Sequence, residues 1–147
     1  MCTRCSGEMH KKLISDVDKG DKLGDEHINA ANQLLCNQFP DIQGLHSPLL
    51  GQRFCFTMFD IVKGYAGYPY IQVLHTGKDH WITIEIVSED EVRIFDSLFL
   101  KPTYYVMKQV ASVMESQSWK LKMLLEKVQF QKNAVDCGVY AIACLYD

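Results

Sequence analysis

Near the end of the chain, Gln131-Lys-Asn-Ala-Val-Asp-Cys137-Gly138 runs from a polar loop carrying a side-chain amide into an apolar, Ala-containing stretch. This layout predicts a buried helix that starts at Cys137. Unpaired backbone N–H groups and the macrodipole at such a start favour a thiolate. A cysteine so placed is either a nucleophile or a small core residue beside a cap. A nucleophile needs a base, and His80 lies just before an alternating segment that ends, after a turn, at Asp96. The midpoint of the two is Ser88, inside the predicted turn. A hairpin centred there sets His80 across from Asp96, and a slip of two positions leaves them diagonal on the same face. A carboxylate beside an imidazole fixes its tautomer and stabilises the imidazolium. Gln131 adds an amide that, with the Cys137 backbone N–H, could form an oxyanion hole. Taken singly, His80 also reads as a turn residue, Asp96 as a strand terminator and Gln131 as a solvated loop residue.

The elements that must hold these groups are partly readable. Asp25 is a plausible N-cap for a helix carrying Ile28, Ala31, Leu34 and Leu35 on one face and stopping near Phe39-Pro40. Pro40, Gly44, Pro48 and Gly51 mark residues 40–53 as a loop, and Phe54 to Val62 fits a strand or a short helix. Tyr70–His75, Trp81–Val87 and Val92–Asp96 read as strands, the last two joined through Ser88–Glu91. Lys101-Pro102-Thr103 opens a helix over 103–117, with Val106, Met107, Val110, Val113 and Met114 as its apolar stripe. Trp119 to Phe130 leans towards strand. Residues 1–22, polar and without sustained periodicity, read as an irregular N-terminal arm.

With 147 residues, a net charge of -3 and 48% apolar content, the chain fits one ordinary globular domain. No basic run suggests nucleic acid or a membrane surface, and no apolar run is long enough to span a bilayer. The first ten residues lack the apolar core of a signal peptide, so an intracellular, reducing setting is expected. The six cysteines are then free thiols rather than a disulfide framework. Cys2 and Cys5 have the spacing of half a zinc site, with His10 as a third candidate ligand. No second pair completes it, so no metal is expected. Cys36, Cys55 and Cys144 read as core residues.

The order His, Asp, Gln, Cys differs from the Gln, Cys, His, Asn of papain-like proteases. Asp79-His80-Trp81, Phe95-Asp96-Ser97-Leu98 and Gln131 to Gly138 instead resemble the signature blocks of the ubiquitin-like-protein protease family, which includes SUMO and NEDD8 proteases and, remotely, the adenovirus protease. The resemblance runs over about residues 22–147. It implies an α+β fold with a central mixed or antiparallel sheet and the nucleophile at the start of a buried helix. It implies Cys137 as nucleophile, His80 as base then acid, Asp96 as its orienter and Gln131 as oxyanion donor. Trp81 looks like the aromatic roofing a channel for the substrate's Gly-Gly tail. The implied reaction is hydrolysis of a peptide or isopeptide bond after that tail, through a thioester and without a cofactor. The implied partner is a ubiquitin-like modifier or its conjugates. Lys22-Leu-Gly-Asp25-Glu-His-Ile28-Asn29 is similar to the block that begins Trp-Leu-Asn-Asp, with Lys22 at the tryptophan position. That departure touches substrate specificity and leaves the catalytic residues intact. The chain stops ten residues after Cys137, so the catalytic domain, 23–147, is expected to be truncated at its C-terminus. The alternatives are an inactive or truncated relative that binds a ubiquitin-like protein, and a transposon- or virus-type polyprotein protease.

Overall fold

A computed structural model describes residues 7–50, 70–77, 79–114 and 120–146. Its strands are β1 (Gln43–Gly44), β2 (Tyr70–His75), β3 (Trp81–Ser88), β4 (Glu91–Phe95) and β5 (Lys122–Leu125). They form one sheet in the order β1-β2-β3-β4-β5. The inner pairs are antiparallel, while β1 and β5 add to the edges in parallel. The helices are α1 (Gly7–Asp18), α2 (Asp25–Gln38), α3 (Tyr104–Val113) and α4 (Cys137–Ala143). The architecture is α+β with a mixed central sheet, as expected.

Period-two alternation sorts the strand residues into two cores. Ile82, Ile84 and Ile86 of β3, with Val92 and Ile94 of β4, face Val106, Val110 and Val113 of α3. On the opposite face, Val73 and Trp81 pack with Ile28 and Leu35 of α2 and with Cys137 and Ala141 of α4. Burial on both faces explains why β3 is largely inaccessible along Trp81–Ile84. Thr83, on the α4 face, donates from Oγ1 to the Ala141 carbonyl at 2.7 Å, fastening the nucleophile helix to the central strand.

Several expectations need correction. Residues 7–18, expected within an irregular arm, form α1. Its visible ties are to α2, through Lys12–Glu26 at 3.3 Å and Asp16–His27 at 3.4 Å. Ile14 and Val17 remain largely exposed. Helix α2 has Gly24, not Asp25, at its N-cap. The Gly24 N–H donates to Nδ1 of His27 at 3.1 Å, half of a capping box. Ile28 and Leu35 are buried as expected, but Leu34 is 53% exposed and Asn32 takes a buried place. Within the expected 40–53 loop, Gly44 and its neighbour pair with β2. Gly44 has φ +92, and a Cβ there would lie 2.1 Å from the Ile71 carbonyl oxygen, so only glycine permits the approach. Helix α3 is capped by Thr103, whose Oγ1 accepts from the Val106 N–H at 3.2 Å, but it ends at Val113 rather than 117. Met114 is already extended, and Met107 of the expected stripe is partly exposed. The Phe54–Val62 segment, Trp119, Cys2, Cys5 and Cys55 lie outside the described residues.

Candidate active site

The β3–β4 ladder pairs Thr83 with Phe95 and Ile84 with Ile94, then shifts at a bulge between Ile86 and Ser88. Carried outward, this register sets Ile82, not His80, opposite Asp96. His80 and Asp96 are therefore displaced by two positions and share a face. They still meet: His80 Nε2 and Asp96 Oδ1 are 2.9 Å apart, with both side chains almost fully buried. The same Oδ1 accepts the backbone N–H of Leu98 at 2.9 Å and of Phe99 at 3.1 Å. A carboxylate with this many donors is held in one orientation. The Phe99 ring stands edge-on to the imidazole, with centroids 5.5 Å apart.

Because Nε2 donates to the carboxylate, a neutral His80 carries its lone pair on Nδ1. Nδ1 is buried and has no hydrogen-bond partner. Cys137, the first residue of α4, is buried in the same cleft, and its thiol and the His80 ring shift each other's proton affinity. Burial alone would lower the His80 pKa, but Asp96 and then Cys137 outweigh it and raise it to about 9. Burial would raise the Cys137 pKa, but His80 and the backbone N–H groups of Trp81 and Gly138 hold it below the usual thiol value. Both shifts favour the same proton arrangement, thiolate beside imidazolium.

Gln131 lies in this cleft, which has a volume of about 430 Å³ and also contains His80 and Cys137. Its backbone N–H donates to the Ser97 carbonyl at 2.9 Å, and its Oε1 accepts from Ser97 Oγ at 2.6 Å. Its Nε2 donates to the Asn133 carbonyl at 2.6 Å, which uses one of two amide hydrogens. The loop between Gln131 and Cys137 is shaped by Asn133. Its Oδ1 accepts from the N–H groups of Val135 and Asp136, at 2.9 and 3.0 Å.

Trp81 is in a different position. It is buried, its Nε1–H donates to the Leu23 carbonyl at 3.0 Å, and its ring meets His75 edge-on at 4.5 Å. It borders a second depression with Leu23, Gly24, Leu49 and Asp79, and Asp79 also lines the Cys137 cleft. Lys22 lines that cleft too and forms an ion pair with Asp79, whose φ is +58. His80, Gln131 and Cys137 thus line one cleft, with Asp96 buried behind the imidazole it bonds and Trp81 in the neighbouring depression that meets the cleft at Asp79.

A scan against protein-family models gives no match, and a search of curated proteins gives none either. Solved structures do match. The C-terminal Ulp1 protease domain in complex with Smt3, the yeast ortholog of SUMO, superposes with a TM-score of 0.58 at 13% identity, over 98% of this chain and 84% of that one. The chain has the Ulp1 fold. A second Ulp1 structure, with its catalytic cysteine oxidized to a sulfonic acid, gives 0.58 at 10% identity over 97% of this chain and 83% of that one. The ASFV pS273R protease gives 0.59 at 16% identity over 85% of this chain and 57% of that one. The resemblance read in the sequence blocks extends to the fold.

Within this Ulp1-like fold, sequence reasoning missed several supporting residues. Ser97 stands out in the sequence only as part of the Phe95–Leu98 block, yet it holds Gln131 twice. Phe99 and Asn133 carry no local signal for their roles, since one acts through a ring contact and the other through a turn inside a polar loop. Gly138 was legible only as part of Asp-Cys-Gly. A Cβ on it would lie 2.8 Å from the Leu23 Cβ, so glycine lets α4 approach the entry to α2. Among the described residues, Asp16, Glu26 and His27 come close enough to suggest a metal site. However, Nδ1 of His27 accepts the Gly24 N–H, which puts the proton on Nε2 and removes its lone pair as a ligand. No helix among them is long and apolar enough to cross a membrane.

Proposed function

We propose that the protein is a cysteine peptidase with Cys137 as nucleophile, His80 as general base then acid, and Asp96 orienting the imidazole. The divided use of the His80 ring carries this reading: Nε2 is committed to Asp96, and Nδ1 is left for the Cys137 thiol. The thiolate attacks the scissile carbonyl, and the displaced electron pair moves to the carbonyl oxygen. The Cys137 backbone N–H and the second hydrogen of Gln131 Nε2 meet that oxyanion. On collapse the C–N bond breaks, His80 gives its proton to the leaving amine, and a thioester remains on Cys137. His80 then takes a proton from water, the hydroxide attacks the thioester, and the thiolate leaves as the carboxylate product is released.

We assign the substrate as the Gly-Gly tail of a ubiquitin-like modifier, in a precursor or an isopeptide conjugate. The signature blocks support this, as does the fold shared with a Ulp1 domain bound to Smt3. Trp81 and the depression beside it form the channel wall along which side-chain-free residues would pass. The Lys22–Asp79 pair, at the place where SUMO proteases carry a tryptophan, favours a second reading: a peptidase for another polypeptide tail, such as a polyprotein junction. A panel of ubiquitin, SUMO and NEDD8 probes bearing a C-terminal electrophile separates these. Labelling at Cys137 that is lost in Cys137→Ala and in His80→Ala supports the modifier protease. No labelling alongside cleavage of Gly-Gly peptides supports the second reading. Neither labelling nor cleavage overturns both and leaves a binding module.

A further inference from the structure

The loop that follows Asp96 presents an unusual density of exposed apolar side chains. Leu98, Phe99 and Leu100, then Tyr104 and Tyr105 at the start of α3, are all exposed, Leu100 at 76% and Tyr104 at 67%. Isolated exposed apolar residues are ordinary, but a contiguous set bordering a cleft marks a contact surface. This set is continuous with the candidate active site, since Leu98, Phe99 and Tyr105 line the cleft that holds Cys137 and His80. It is also held in place by the site. Asp96 Oδ1 accepts the N–H groups of Leu98 and Phe99 and fixes the loop with the same atom that orients His80.

We propose that this shelf binds the leaving-group side of a polypeptide substrate, accepting apolar side chains just beyond the scissile bond or flanking the modified lysine. The direction rests on the peptidase reading above. The departing amine must take its proton from His80, so the leaving group lies on the imidazole side of the cleft. Phe99 stands against that imidazole and begins the shelf. The acyl side is left to the depression beside Trp81, which Leu23, Leu49 and Asp79 also line and which meets the cleft at Asp79, paired there with Lys22. The shelf is a device for selecting substrates by the residues that leave, separate from recognition of the tail.

The test uses the full chain as Cys137→Ala, to prevent turnover, with fluorescein-labelled peptides centred on Gly-Gly-Leu-Phe or Gly-Gly-Ser-Asn. Burying one or two apolar side chains predicts a preference of roughly tenfold or more for the Leu-Phe peptide by fluorescence anisotropy. Leu98→Asp and Leu100→Asp, both at exposed positions, should reduce that preference to near unity. Equal affinities before substitution, or a preference that survives both changes, would overturn the shelf. Cleavage by the unsubstituted protein is measured in parallel. A Leu-Phe preference with neither cleavage nor labelling by the modifier probes sustains the shelf as a peptide site and overturns the peptidase reading instead.

Discussion

His80 and Asp96 are hydrogen-bonded at 2.9 Å although the hairpin that carries them is out of symmetric register by two positions. The turn lies at Glu89 and Asp90 rather than at Ser88, the bulge between Ile86 and Ser88 shifts the pairing by one residue, and the net displacement of two leaves both side chains on one face. An ionised Asp96 then stabilises the imidazolium. Asp96→Asn should keep an acceptor for the Leu98 and Phe99 N–H groups while losing that charge. We expect kcat/KM for Gly-Gly substrates to fall at least about a hundredfold, with little change in thermal midpoint. An activity loss that simply tracks unfolding would mean Asp96 acts only on the loop.

Gly138→Ala tests how tightly the nucleophile helix must sit. The added methyl meets the Leu23 Cβ at 2.8 Å, and overpacking of this kind costs about 1–3 kcal/mol. Thermal denaturation should show the loss, and labelling of Cys137 should slow. Leu23→Ala in the same chain removes the opposing atoms and should recover part of both. A double variant no better than the sum of the singles would mean the contact is not the cause.

Much of this site was legible because its signals are local or periodic. The alternation in β3 and β4 gave strands of nearly the right length, and Thr103 announced α3. The unread parts depend on distant partners. Periodicity located a stripe in α2 without showing that Leu34 at its flank stays exposed while Asn32 is covered. Helix α1 is tied down by Glu26 and His27 of another helix, and β1 by a glycine against Ile71. Lys22 could be seen as a departure from a sequence block, but its ion pair with Asp79 needed the turn that brings both to one cleft. The early end of α3 at Val113 has no local breaker to explain it.

Gln131→Ala should separate oxyanion stabilisation from thiolate formation. Loss of one such donor typically costs about a hundred- to a thousandfold in kcat. Alkylation of Cys137 by iodoacetamide passes through no oxyanion and should be nearly unchanged. Ser97→Ala, which removes the hydroxyl that donates to Gln131 Oε1, should lower kcat in the same direction by less. If Gln131→Ala slows alkylation as much as hydrolysis, the side chain is holding the Cys137 loop rather than the oxyanion.

The central claim is that Cys137 and His80 share a proton as a thiolate–imidazolium pair, and the pH dependence of Cys137 alkylation tests it most directly. The Cys137 pKa is lowered and that of His80 raised to about 9, so the reactive pair exists above the first value and below the second. Iodoacetamide labelling, read on the Cys137 peptide by mass spectrometry, should stay fast well below the free-thiol pKa of about 8.5 and decline only as the thiolate is protonated. Turnover of a Gly-Gly substrate should fall as pH rises through about 9, where His80 loses the proton it must give. In His80→Ala the alkylation curve should move up towards that of an ordinary thiol. A midpoint near that of a free cysteine, identical with and without His80, would contradict the pair and the mechanism built on it.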